Sequence, residues 1–198
     1  MKPFAVGVLM ATLLIAWLPV DAVEPFQIKG LRLGQPTSTA CGKAQITSKI
    51  DDLLTKYKGR APALVAIETN ECHVAADTFG GLEIDDGIDL LFLKGQLIQI
   101  KFDLEPMHWI KYAEIYPLLT AMHGEPEVTQ GNVFTTHRWR QGTSVLSVAR
   151  ANSSSGVEAL EIVLRDENAF QLYEARSDIN HKVLMQLDDQ ASKSDIRN

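Results

Sequence analysis

The segment ETNECHV, residues 68–74, places Cys72 directly beside His73. A catalytic Cys–His pair needs a free thiolate held near an imidazole in space. Neighbouring side chains of a strand point to opposite faces, so adjacency in the sequence works against such a pair. The chain has one other cysteine, Cys41, and in an oxidising compartment two cysteines most simply form one disulfide. The sequence therefore predicts a Cys41–Cys72 disulfide in preference to a reactive or metal-binding thiol.

The N-terminal residues carry the three-part pattern of a secretory signal peptide. Lys2 supplies a positive charge, an apolar run extends from Phe4 to Leu18, and small residues precede a cut expected after Ala22. The run is shorter than the roughly 20 apolar residues that span a bilayer, although an uncleaved anchor is the alternative. We therefore expect residues 1–22 to be a signal peptide and the mature chain to be periplasmic or secreted, without stable membrane insertion.

The segment HRWRQG is the best candidate for an interaction surface. In a strand, Arg138 and Arg140 share one face, and His137 and Trp139 share the other. The arginines, with Arg150 near them, could bind an anion or an acidic partner, and an outward-facing Trp139 could anchor a protein interface. The alternative is a core tryptophan opposite a solvated arginine face.

Two other groups of residues could hold a metal, but their spacing does not favour it. The histidines lack both the i, i+4 spacing and the HExxH context of metalloproteases. The segment EIDDGID lacks the ligand order of an EF-hand, and its Asp86-Gly87 pair is typical of a hairpin turn. The motifs GxSxG, P-loop and glycine-rich dinucleotide fingerprint do not occur in the sequence. We expect no metal, no cofactor and no catalytic residue.

The first half of the chain alternates between strand and helix patterns. FQIKGLRLG predicts a strand that ends at Gly34, and the apolar spacing over residues 46–57 predicts an amphipathic helix. ALVAIET and CHVAADTF predict two strands separated by a turn at Asn70-Glu71. Residues 87–104 predict a hairpin near the middle of the sheet, with an odd-length loop or a bulge centred on Gly95. This register would pair Phe92 with Ile98, Leu90 with Ile100 and Ile88 with Phe102.

The second half predicts a further helix and three more strands. The helix is expected to begin near Pro106, to kink or split at Pro117 and to end at Gly124, with a stripe that includes Ile115, Leu119 and Met122. A hairpin around Gln141-Gly142 follows, and then a strand with the inward residues Leu160, Ile162 and Leu164. A last helix precedes a flexible tail over residues 188–198.

These elements predict an α+β fold, in which an antiparallel sheet has helices packed on one face. We expect a single domain over residues 23–187. Its order of elements suggests two similar strand-helix-strands units, residues 23–95 and 96–187. No residue-by-residue repeat supports that division.

The segments GLRLG and LLTAMHGEP, the latter followed by strands that carry WRQG, resemble small exported bacterial proteins. In these proteins a helix ends in a Gly-x-Pro turn and leads into a sheet. The order of elements is similar to the β-lactamase-inhibitor-protein-like fold of small outer-membrane assembly lipoproteins. The resemblance implies a module that binds other proteins and is not a catalyst. The chain lacks a lipidation cysteine at the expected cut, so membrane tethering of that type is not implied.

The formal net charge of −6 argues against non-specific nucleic-acid binding, which needs a basic face. The leading hypothesis is an exported, non-enzymatic binding module whose partner is a protein or another envelope component. An inhibitor or chaperone-like partner of an exported enzyme is a narrower alternative. A hydrolase with an unrecognised site is the alternative from a different class.

Overall fold

A computed structural model of the chain describes residues 25–47, 69–151 and 157–195. The strands are β1 (Ile46–Thr47), β2 (Thr69–Val74), β3 (Thr78–Phe79), β4 (Leu82–Leu93), β5 (Gln96–His108), β6 (Glu127–Gln130), β7 (Phe134–Gln141), β8 (Ser144–Ala151) and β9 (Val157–Asp166). The helices are α1 (Thr37–Ala40), α2 (Trp109–His123) and α3 (Glu167–Asp195). The expected signal peptide lies outside the described residues.

The strands form one open sheet in the order β1-β2-β4-β5-β9-β8-β7-β6, and β3 pairs with β4 beside this path. Every strand pair among the described residues is antiparallel. The β4–β5 hairpin lies near the middle of the sheet, as predicted, and the α+β class is confirmed.

One face of the sheet, which we call the core face, carries the main hydrophobic core. The register aligns six residues across six strands, and all of them are buried: Cys72, Leu90, Ile100, Leu164, Leu146 and Trp139. Helix α2 packs on this face through Ile115 and Leu119. Leu160, Ile162 and Leu164 are buried, which confirms the inward positions predicted for β9.

The opposite face, here called the second face, is covered differently. Leu91, Leu93 and Ile98 form a smaller apolar cluster against Ala169, Phe170 and Tyr173 of α3. The prediction placed the helices on one face of the sheet. Helix α2 lies on the core face, whereas the first turns of α3 lie on the second face. The alternation of β4 explains this, because Leu91 and Leu93 point away from the core face and leave the middle of the second face partly apolar.

The central hairpin contains the predicted bulge, but at a different residue. Lys94 and Gly95 form a two-residue turn with φ of 51° and 74°, and the extra residue of β5 is Ile98, between the pairs Phe92–Leu97 and Leu91–Gln99. Pairing of Leu90 with Ile100 is confirmed, whereas pairing of Phe92 with Ile98 is wrong. The bulge turns Ile98 onto the second face.

A second irregularity of β4 lies between Asp85 and Asp89. Asp86 and Gly87 there have φ of 59° and 88°, so this dipeptide forms a bulge within a strand and not a hairpin turn. The predicted pair of Ile88 with Phe102 is therefore wrong as well, although both side chains are buried in the core.

The N-terminal part of the fold differs from the predicted strand and helix. Lys29 and Gly30 reverse the chain, so that Ile28 pairs with Leu31 and the expected continuous strand is replaced by a tight turn. Residues 46–47 form an edge strand against β2 and do not begin a helix. The rest of that predicted helix, and most of ALVAIET, lie outside the described residues. The predicted turn at Asn70-Glu71 is wrong, because both residues lie within β2.

The predicted second helix begins later than expected, because β5 extends through Pro106 to His108 and α2 starts at Trp109. Pro117 lies inside one continuous helix, which ends before Gly124 as predicted. Met122 does not join the buried stripe, since 71% of its surface is exposed. The β7–β8 hairpin around Gln141-Gly142 is confirmed. Helix α3 continues past residue 188 to Asp195, and the flexible tail and the two-unit division stay predictions.

Candidate functional site

Cys72 of the segment ETNECHV forms a disulfide bond with Cys41. The Sγ atoms of Cys41 and Cys72 are bonded at 2.03 Å, and both residues are buried. The bond joins the segment after α1 to β2, and the described part of the chain has no free cysteine. Cys72 faces the core, whereas the side chain of its neighbour His73 is 48% exposed. The sulfur therefore has a structural role.

The four residues of the predicted interaction surface do not form one surface. Trp139 is 2% exposed and its Nε1 donates a hydrogen bond to the carbonyl oxygen of Gly124 at 2.8 Å. Arg138 and Arg140 lie on the opposite face of β7. Arg150 pairs with Thr135 and Leu160, which places it on the core face. The arrangement is that of a core tryptophan opposite an arginine face.

The arginine face is partly neutralised by neighbouring carboxylates. Arg140 lies 3.8 Å from Glu127 and 3.6 Å from Glu167, measured between guanidinium nitrogens and carboxylate oxygens. Arg138 lies directly opposite Glu127 in the β6–β7 register. A role for Arg138 and Arg140 in binding an acidic partner stays a prediction.

A further concave feature lies where the second face meets the start of α3. There a cavity of about 590 Å³, which we call the α3–sheet groove, opens over β1, β2, β4 and β5. It brings the opening motif together with residues from distant parts of the chain. Its lining comprises Gln45, Thr47, Glu71, Cys72, His73, Asp89, Leu90, Leu91, Gln99, Lys101, Phe170 and Tyr173.

His73 and Asp89 form the polar pair at one side of the groove. They lie opposite each other in the β2–β4 register, and His73 Nδ1 is 2.9 Å from Asp89 Oδ1. This hydrogen bond raises the pKa of His73, and the negative charges of Asp89 and Asp86 act in the same direction. The backbone permits the pair because Gly87 lies directly beneath the imidazole, where a Cβ atom would be 2.7 Å from His73 Nε2.

Lys101 lies on the floor of the groove. Its register partner on β4 is Asp89, and its ammonium group forms an ion pair with Glu161 on β9. The hydrogen bond with Glu161 raises the pKa of Lys101. Both side chains of the lining that can carry a positive charge, His73 and Lys101, are therefore matched with carboxylates.

The aromatic wall of the groove is placed by the start of α3. The Asp166 side chain accepts a hydrogen bond from the backbone N–H of Ala169 at 2.9 Å and so caps the helix. The first two turns then present Phe170 and Tyr173, whose ring centroids are 5.7 Å apart. The guanidinium group of Arg165 lies 4.7 Å from the centre of the Phe170 ring.

An acidic row extends across the second face beyond the groove. Asp85, Asp103 and Glu161 lie directly opposite one another on β4, β5 and β9. Burial raises the pKa of Asp103, and the charge of Glu161 raises it further. At the next positions, a hydrogen bond with Glu83 raises the pKa of Glu105. Like charges placed directly opposite each other destabilise a sheet, so this row weakens the fold at neutral pH.

His123 and His137 do not line the groove. Burial lowers the pKa of His123 and of His137, and the positive charge of Arg150 lowers the pKa of His137 further. The ring of His137 meets the ring of Tyr116 edge to face, with 5.1 Å between the centroids. Within the described ranges, no group of three or more His, Cys, Asp or Glu side chains is arranged to hold a metal ion.

Sequence reasoning identified part of the groove and missed the rest. It singled out the segment with Glu71, Cys72 and His73. Gln99 and Lys101 alternate with the apolar residues of β5, and this pattern by itself indicates a solvated face of the hairpin. Phe170 and Tyr173 are among the apolar residues of the predicted last helix, and this pattern by itself indicates a buried stripe. Leu91 and Leu93 are a weak sequence signal for the groove, because they make the second face of the hairpin partly apolar and so indicate that another element packs on it.

No family model matches this chain, and no match to it was found among the curated proteins or the solved structures. Nothing in these comparisons bears on the resemblance to the β-lactamase-inhibitor-protein-like fold, which stays a prediction. In the part of the chain that the structure describes, no helix has the length and apolar character needed to cross a membrane.

Proposed function

We propose that this chain is an exported, non-enzymatic binding module for a protein or another envelope component, and that the α3–sheet groove is its binding surface. The groove carries the proposal. It combines a volume of about 590 Å³ with convergent polar side chains and two aromatic rings. A concave site of a few hundred cubic ångströms with this mixture is typical of ligand recognition.

The chemistry of the lining favours binding over catalysis. Its cysteine is held in a disulfide, and its histidine is hydrogen-bonded to Asp89 at a site where 48% of the imidazole surface is exposed. Nucleophilic catalysis needs an activated nucleophile within hydrogen-bond reach of the base. The lining hydroxyl of Thr47 instead donates to the backbone oxygen of Glu71, at 3.4 Å. The disulfide is consistent with an oxidising compartment and supports export.

The proposal is tested by affinity capture from an envelope extract with the mature chain. A groove variant, Gln99→Ala/Lys101→Ala, is compared with a control on the exposed strand β6, Thr129→Ala/Gln130→Ala. We expect the wild type and the control to retain the same envelope component and the groove variant to lose it. Equal retention by all three proteins would mean that the groove is not the binding surface. Turnover of a generic ester or peptide panel, with nothing retained, would replace the binding module with a hydrolase.

A further inference from the structure

We propose that the ligand of the α3–sheet groove is a neutral glycan, bound as a short oligosaccharide. This inference rests on the proposed function and names the chemical class of the envelope component. Three properties of the groove favour a glycan: its charge balance, the origin of its hydrogen-bonding groups and its aromatic wall.

The charge balance argues against a strongly charged ligand. The lining contains two carboxylates, Glu71 and Asp89, and two groups that carry positive charge when protonated, His73 and Lys101. Asp89 is already hydrogen-bonded to His73, and Lys101 is paired with Glu161. An anionic ligand would have to displace Glu161 or Asp89 from its cation, and a cationic ligand would have to compete with His73 and Lys101. A neutral polar ligand needs neither exchange.

The position of the groove argues against recognition of a peptide main chain. Its floor is the face of the paired strands β2, β4 and β5, whose backbone N–H and C=O groups are used in the sheet ladder, and the edge strand β1 that borders this floor is only two residues long. An extended peptide that adds to a sheet binds at an edge, through unpaired backbone groups. On a face, recognition has to come from side chains.

The side chains present are those that suit hydroxyl groups. A sugar hydroxyl both donates and accepts, and the amides of Gln45 and Gln99 offer a donor and an acceptor in one plane. The carboxylates of Glu71 and Asp89 add acceptors, and the ammonium group of Lys101 adds donors. Asp89 is well placed for this, since 70% of its side chain is exposed while one oxygen holds His73.

The aromatic wall supplies the apolar surface that a sugar ring also needs. A pyranose has a face of C–H groups, which packs against a flat aromatic ring. Phe170 and Tyr173 are half-buried against Leu91, Leu93 and Ile98, so their positions are fixed by packing before a ligand arrives. Tyr173 also brings a hydroxyl group, so that its apolar body and polar tip can serve both parts of a sugar.

The test is a titration of the ¹⁵N-labelled mature protein with three soluble neutral trisaccharides: maltotriose, cellotriose and fully N-acetylated chitotriose. At least one of them is expected to give saturable shifts at the backbone amides of Gln99, Lys101 and Tyr173. A lysine-rich and a glutamate-rich peptide serve as charged comparison ligands and are expected to give no saturable shifts there.

Two variants test the recognition itself. Tyr173→Phe removes one hydroxyl and keeps the packing, and Gln99→Ala removes one amide. Each is expected to raise the Kd of the trisaccharide that binds by about fivefold, the effect of one lost hydrogen bond. Gln130→Ala on the exposed strand β6 removes the same amide elsewhere and is expected to leave binding unchanged.

The inference is overturned if no trisaccharide gives saturable shifts up to about 20 mM, the weak end of millimolar affinity. Shifts that lie away from the groove, or a stronger response to either peptide, would also overturn it. These outcomes can be told apart from failure of the proposed function. If envelope capture still depends on Gln99 and Lys101 while the sugars fail, the groove binds a component of a different class.

Discussion

Substitution of Gly87 by alanine tests the geometry beneath His73. Gly87 has φ of +88°, a conformation that residues with a Cβ atom rarely adopt. A Cβ atom at this position would lie 2.7 Å from Nε2 of His73 and 2.8 Å from the backbone oxygen of Val74. The imidazole can rotate towards solvent, since it is 48% exposed. The carbonyl of Val74 belongs to the β2–β4 ladder and cannot move without disturbing the pairing.

The expected magnitude follows from these two causes. The left-handed backbone costs an alanine about 1 kcal/mol, and overpacking against a fixed group adds about 1–3 kcal/mol. We therefore expect Gly87→Ala to lower the free energy of unfolding by about 2–4 kcal/mol, measured by urea denaturation of the oxidised mature protein. In a His73→Ala background the loss should remain nearly as large, because the Val74 carbonyl is the contact that cannot yield.

Gly142→Ala is the matched control. Gly142 also has positive φ, 59°, but a Cβ atom there would meet no heavy atom within 4 Å. Its expected cost is the backbone part alone, about 1 kcal/mol. If the two variants unfold at the same free energy, within about 0.5 kcal/mol, the close approach of Gly87 to β2 is wrong. The position assigned to His73 at the groove would then also need revision.

Three further predictions concern the disulfide and the titrating groups. The double variant Cys41→Ala/Cys72→Ala removes the disulfide, which closes a loop with a sequence separation of 31. It should lower the free energy of unfolding, measured by urea denaturation, by about 3.7 kcal/mol. An unchanged free energy would mean that the bond does not constrain the unfolded chain. The pKa of His73 is raised, so its stabilising contribution is present below its unfolded pKa and is lost as the pH rises through its folded pKa. An NMR titration of the ring protons should place this pKa above its ordinary value of 6.5, and Asp89→Asn should remove most of the shift. The pKa of Asp103 is also raised, so its ionised form destabilises the fold. Asp103→Asn should therefore raise the midpoint of thermal unfolding at neutral pH and have little effect in acid, where the carboxyl group is already protonated. A lower midpoint at neutral pH would contradict the repulsion across the acidic row.

The parts of the fold that depend on local alternation could be predicted from the sequence. In β9, Leu160, Ile162 and Leu164 alternate with polar or half-exposed residues, so the buried face follows from period-two patterning. The disulfide needed only the count of two cysteines and an oxidising compartment. The α+β class followed from the order of the strand and helix patterns.

Features decided by backbone conformation at single residues were not predictable in the same way. The Lys94-Gly95 turn needs positive φ at both residues, and the resulting register would place polar groups in the core without the extra residue at Ile98. The sequence indicated that a bulge or an odd loop was needed but not which residue would provide it. Edge strand β1 also escaped prediction, because the apolar spacing that begins at Ile46 matches a helix.

The α3–sheet groove depends on tertiary arrangement and could not be derived from any one segment. It joins residues of β1, β2, the central hairpin and the first two turns of α3. These come together because β9 pairs with β5, which places the helix after β9 over the second face. Strand order across the sheet is set by long-range pairing, and a single sequence without a repeat carries little information on it.

The central claim is that the chain is exported and that its Cys41–Cys72 disulfide stabilises the fold that forms the groove. Its most direct test is the intact mass of protein purified from the envelope fraction of an expressing host, alkylated before and after reduction. We predict a chain that begins at Val23, that takes up no alkylating reagent until it is reduced and that then gains two alkyl groups. A chain that retains residues 1–22 and is alkylated twice without reduction would contradict it.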